Sequence, residues 1–111
     1  MTKLLQFVHL PAFESSARGV LDERGRQRME QDLLKEPERG AVIGGTGGVR
    51  KLRVAMPGRG RSGGARVIYY YLAPKGRVYL LLAYAKHDAA DLSPRGKALM
   101  RRLVRQLEEG R

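Results

Sequence analysis

The chain has 111 residues, 42% of them hydrophobic, no cysteine, and a formal net charge of +11 from 22 basic and 11 acidic side chains. That length suits one domain, residues 1–111, with one modest core, and the lack of cysteine excludes a disulfide framework, a thiolate metal site and a thiol nucleophile. The apolar runs fall short of the roughly 20 residues of a membrane-spanning helix, residues 1–10 do not read as a secretory leader, and a cytoplasmic setting with no membrane partner is expected.

In chain order, residues 4–9 read as a first strand ended by Pro11, and residues 13–20 as a short helix. A second helix starts at Asp22, a good N-cap, with Glu23 in its first turn and Leu21, Met29 and Leu33 on one face. Gly25 weakens it by roughly 1 kcal/mol relative to Ala, and Pro37 and Gly40 end it. The glycine-rich residues 42–48 form a turn into residues 49–55, where Leu52 and Val54 alternate with Lys51, Arg53 and Ala55. That alternation predicts a half-exposed strand with cations on one face. Residues 57–64, PGRGRSGG, read as a hairpin connection between this strand and the β-prone run 66–72. After a turn at Pro74-Lys75-Gly76, residues 78–84 form a nearly all-apolar strand placed inside the sheet. Ser93 caps a last helix with Pro94 in its first turn and Gly110 past its end. Its expected apolar stripe is Leu99, Leu103 and Leu107, with Arg95, Arg101, Arg102 and Arg105 outward. Strand, helices, three antiparallel strands and helix make an α+β layer.

The charge is unevenly placed. Residues 39–87 contain no acidic side chain but ten basic ones, whereas the remainder is nearly balanced. A positive field concentrated on a sheet favours a polyanion, either nucleic acid or an acidic protein partner; on the nucleic-acid reading Arg50, Arg59, Arg61 and Arg77 are assigned to RNA binding. Residues 58–63 match G-x-G-x-x-G literally, but a strand follows where dinucleotide binding needs a helix. Residues 44–51 resemble a phosphate loop without its Gly-Lys-Ser/Thr ending. His9 and His87 lack neighbours at ligand spacing, and the basic segment lacks the carboxylates of two-metal chemistry, so no metal or other cofactor is expected.

RNA can be cut without metal because its 2′-hydroxyl is a built-in nucleophile. The protein must align it, neutralise developing charge and move two protons. Arg53 and Arg66, on strands expected to be neighbours, are the candidate phosphate clamp. Lys51 or Lys86 is the candidate base or acid, and Tyr84 offers a hydroxyl or a stacking ring.

Gly45-Thr46-Gly47-Gly48-Val49-Arg50-Lys51-Leu52-Arg53, then residues 58–70, then Leu82-Ala83-Tyr84-Ala85-Lys86 and Asp91-Leu92, together resemble the RelE/ParE toxin superfamily, most of all its HigB-type branch. The resemblance spans nearly the whole chain. It implies a RelE-like microbial RNase fold, a twisted antiparallel sheet with two N-terminal helices and one C-terminal helix. It also implies a ribosome-dependent mRNA endonuclease, partnered by ribosome and mRNA and silenced by a cognate helix-turn-helix antitoxin, with a heterotetramer as one possible assembly. By position it assigns catalytic roles to Lys51, Arg53 and Arg66 and functional ones to Tyr84, Lys86 and His87. Two other readings stand beside it: a ParE-like DNA gyrase poison, and a non-catalytic RNA-binding module.

Overall fold

The computed structural model describes residues 4–55, 64–86 and 92–110. Residues 56–63 of the expected hairpin connection, with Arg59 and Arg61, and residues 87–91, with His87, lie outside them. Five strands, β1 (Gln6–His9), β2 (Ala41–Val42), β3 (Arg50–Val54), β4 (Ala65–Leu72) and β5 (Arg77–Ala85), form one sheet in the order β1-β5-β4-β3-β2. The α+β expectation holds. β2 to β5 pair antiparallel as a meander, and the short edge strand β1 runs parallel to β5, making the sheet mixed. Among the described residues, no helix is long and apolar enough to cross a membrane.

Helices α1 (Pro11–Ala17) and α2 (Glu23–Lys35) cover one face of the sheet, and α3 (Pro94–Glu108) covers the other. Pro11 both ends the first strand and opens α1, where its missing N–H costs nothing. Asp22 caps α2 by accepting from the N–H of Gly25 at 2.7 Å, and Ser93 caps α3 by accepting from Gly96. On the first face Phe13, Ala17, Met29 and Leu33 pack against Leu52, Val54, Val67, Tyr69, Val78 and Leu80. On the second, Val104 and Leu107 pack with Val49, Ile68, Tyr70, Leu72, Tyr79 and Leu81. The apolar run in β5 thus reflects burial on both faces, as expected of an inner strand.

The stripe of α3 differs from its sequence reading. Met100, Leu103, Val104 and Leu107 meet the sheet, and Leu99 is 57% exposed. At 100° per residue, a face centred on those four leaves Leu99 at its margin. The 43–48 turn supplies the platform for α3. Thr46, fully buried, donates to the Ile43 carbonyl and accepts from the Val49 N–H. Gly47, at φ 81°, takes a left-handed backbone that favours glycine and lies beside Arg101 and Val104, and Arg101 donates to the Gly45 carbonyl at 2.6 Å. The glycines here serve helix docking.

At the other end of α3, the Tyr70 hydroxyl donates to Glu108 at 2.7 Å. Burial first, then this bond and the charge of Glu108, push the hydroxyl up from 10.0 to about 12. The raised value belongs to the fold, so the stability it contributes is full below pH 10.0 and is lost as pH rises through about 12. Alkaline unfolding of Tyr70→Phe should therefore show a shallower loss of stability across that window than the parent chain.

Candidate functional site

The site grows from the register of three strands. Arg53 stands directly opposite Arg66, and Arg66 directly opposite Tyr84, so the three side chains share the α3-side face near one end of the sheet. Lys51, opposite Ile68, lies on the same face of β3. Lys86 follows the last residue of β5, and its N–H donates to the Gly64 carbonyl across the sheet end.

Tyr84 reaches this face because of a bulge. Tyr69 pairs with Leu80 and Ile68 with Leu82, which leaves Leu81 as an extra residue in β5. Leu81, Leu82 and Tyr84 all belong to the α3-side cluster, with Ala83 on the other. Without the inserted residue, strict alternation would turn Tyr84 to the opposite face. A strand that is apolar on both faces carries no trace of such a slip in its hydropathy, so the sequence reading had no signal for it.

Two adjacent concavities open here, sharing Arg39, Arg53 and Arg66. The larger, of about 520 Å³, is lined on one side by Arg53, Arg66 and Lys86 and on the other by Arg28, Gln31 and Asp32 of α2. The smaller runs along the β3 edge past Lys51 and Ala41. Among the described residues, none of Arg28, Arg39, Lys51, Arg53, Arg66 and Lys86 forms an ion pair. Like charges set directly opposite on neighbouring strands repel, so the Arg53–Arg66 pair is a local cost to the fold that an incoming anion would relieve.

Arg39 reaches the site through a loop held by a second cross-strand pair. Tyr69 and Arg50, opposite each other on β4 and β3, both grip residues 37–40. The buried Tyr69 hydroxyl donates to the Pro37 carbonyl at 2.8 Å and accepts from the Gly40 N–H at 2.9 Å. Burial holds that hydroxyl above its usual value, against the opposing pull of the Gly40 N–H and of Arg50. Arg50 donates to the carbonyls of Glu38 and Gly40 and pairs with the Glu38 carboxylate at 3.4 Å.

Of the sequence candidates, Lys51, Arg53, Arg66, Tyr84 and Lys86 therefore come together. Arg50 is engaged by the loop, and Arg77 sits at the far end of β5, bonded to Gln6 and Tyr79. Arg39 and the α2 wall were missed. Arg39 carried a signal as the first cation of the acid-free segment. Arg28, Gln31 and Asp32 carried only their i, i+3, i+4 spacing on the polar side of α2.

Two comparisons with known proteins bear on this arrangement. Residues 26–110 match the model of a family described as the RelE toxin of the RelE/RelB toxin–antitoxin system. Among solved structures, the fold is similar to that of the E. coli toxin RelE, solved as a double arginine-to-alanine mutant in the free state. The TM-score is 0.58 at 19% sequence identity, over 87% of this chain and 96% of that one.

Proposed function

The chain belongs to the RelE toxin family, and from that premise we propose that it is an endoribonuclease that cuts mRNA on the ribosome and is silenced by a cognate antitoxin. The observation that carries this reading is the Arg53–Arg66 pair, two facing arginines with no acidic partner among the described residues. Two guanidinium forks on one face suit the non-bridging oxygens of a phosphodiester and the charge that develops on them. Within the family, the glycine-rich connection at residues 57–64 favours the HigB-type branch.

The chemistry follows from what the substrate brings. The 2′-hydroxyl oxygen bonds to the neighbouring phosphorus as the bond to the 5′-oxygen breaks, leaving a 2′,3′-cyclic phosphate and a 5′-hydroxyl. The proton leaving the 2′-oxygen goes to a base, and an acid delivers one to the 5′-oxygen. Lys51 and Lys86 lie along the two concavities and are the residues assigned to this traffic. Tyr84, beside Arg66, offers a hydroxyl and a ring face for a nucleobase. His87 keeps its assignment from sequence alone. Among the described residues, no paired imidazole and carboxylate lines these concavities, so external alignment of the mRNA must supply much of the rate, which is what a ribosome provides.

Primer extension on translated mRNA after expression tests the proposal. Cuts at fixed positions within codons are expected. Growth arrest with intact mRNA and damaged DNA would replace this reading by a gyrase poison, and binding without cutting would replace it by an RNA-binding module. Binding to ribosomes should also fall steeply with salt. If Arg39, Lys51, Arg53, Arg66 and Lys86 each neutralise one phosphate, affinity drops roughly 100-fold between about 50 and 200 mM salt.

A further inference from the structure

We propose that the α2 wall of the larger concavity reads the base beside the scissile phosphate, and that Asp32 selects bases carrying an exocyclic amino group over uracil. The inference rests on the reading of the protein as an RNA-cutting enzyme and concerns which RNA it cuts.

Asp32 is the reason. Among the described lining residues it alone carries a carboxylate, and it shares the concavity with Arg28, Arg39, Arg53, Arg66 and Lys86. A carboxylate there works against phosphate binding. It is not tied up by its neighbours: Arg28 is one turn back on the same helix, yet no ion pair joins Asp32 to any described cation. The side chain is half-buried, so it faces the concavity with its acceptor capacity in hand.

An ionised carboxylate only accepts hydrogen bonds. A phosphodiester offers it no donor. The donors of a nucleotide lie on the base edge and at the 2′-hydroxyl. Adenine, cytosine and guanine present an exocyclic amino group, whereas uracil presents two carbonyls flanking a single ring N–H. The residues that share the wall favour the base: Gln31 and Arg28, at i−1 and i−4 from Asp32, carry the amide and the guanidinium fork that recognise base edges or stack on them. The strand cations across the concavity hold the backbone, and the helix wall meets the base. This division of labour, phosphate contacts for position and base contacts for sequence, is general to nucleic-acid recognition.

Mapping of cut sites across a translated transcript, with the full-length chain and its variants, tests the proposal. Wild-type cuts should be depleted at uracil in the read position. Asp32→Asn, which keeps the shape but adds a donor, should raise cutting at uracil relative to the other bases by roughly ten-fold. Gln31→Ala should also shift the base distribution, and it serves as the second variant if Asp32→Asn folds poorly. An unchanged distribution in both variants overturns the proposal. So does a uniform loss of rate at every site, which would place Asp32 on the 2′-hydroxyl instead. If the wild-type chain cuts no mRNA at all, the parent reading fails first and carries this one with it.

Discussion

Arg66→Ala is expected to lower mRNA cutting by about 10²–10³-fold, the usual consequence of removing one donor from developing negative charge. The folded state should scarcely notice. Arg66 makes one long hydrogen bond, at 3.3 Å to the neighbouring Ala65 carbonyl, and no ion pair among the described residues. It faces Arg53 across the strand pair, so its removal relieves a repulsion worth about 0.2–1 kcal/mol. Lost packing of the arginine stem offsets part of that gain. A thermal midpoint equal to or slightly above the parent's, together with near-abolished primer-extension cuts, would be the signature of a residue kept for an anion. Arg66→Lys should fall between the two in activity, because it keeps the charge but loses the fork. A destabilised Arg66→Ala with cutting intact would show the pair to be structural and would remove the main support for the nuclease reading.

Gly40→Ala should lower stability by about 1–3 kcal/mol or more. A Cβ at Gly40 would sit 2.8 Å from Tyr69 Cε1 and 2.9 Å from the Lys51 carbonyl oxygen, and Gly40 is buried. One neighbour is a fully buried ring and the other is backbone of β3, so neither can give way cheaply. The loop between α2 and β2 would have to lift, breaking the bond from the Gly40 N–H to Tyr69 and moving Arg39 out of both concavities. Tyr69→Phe provides the matched control. It leaves space unchanged but deprives the Gly40 N–H and the Pro37 carbonyl of their partner, at about 1–3 kcal/mol for a buried unsatisfied group. Chemical denaturation of the two variants measures both effects. Equal stability in Gly40→Ala would mean that the loop is not held as the geometry indicates.

These two sites differ in how much of them could be read in advance. Arg53 and Arg66 lie on two strands that the sequence marks as hairpin neighbours, so both residues were visible in advance, whereas their standing directly opposite each other was set by the register. The Gly40–Tyr69 contact joins residues 29 apart. Within the run Tyr69-Tyr70-Tyr71 nothing distinguishes the tyrosine that buries a loop bond from the one that ties down α3. The α2 wall was hidden for a related reason. Arg28, Gln31 and Asp32 look like any solvated helix face until the sheet end is seen beside them.

By itself the sequence determined the α+β class, the helix caps at Asp22 and Ser93, the inner position of β5 and the cationic face carrying Lys51, Arg53 and Arg66. Each of these rests on local chemistry or on a period of two or 3.6 residues, which a linear string preserves. Only the tertiary structure decided that β1 lies parallel to β5, that a bulge at Leu81 turns Tyr84 toward the arginines, and that Arg39 and Asp32 face the same concavity. The physical reason is common to all three. Each depends on which distant segment packs alongside, and burial on both faces of the sheet erases the alternation that would otherwise have recorded it.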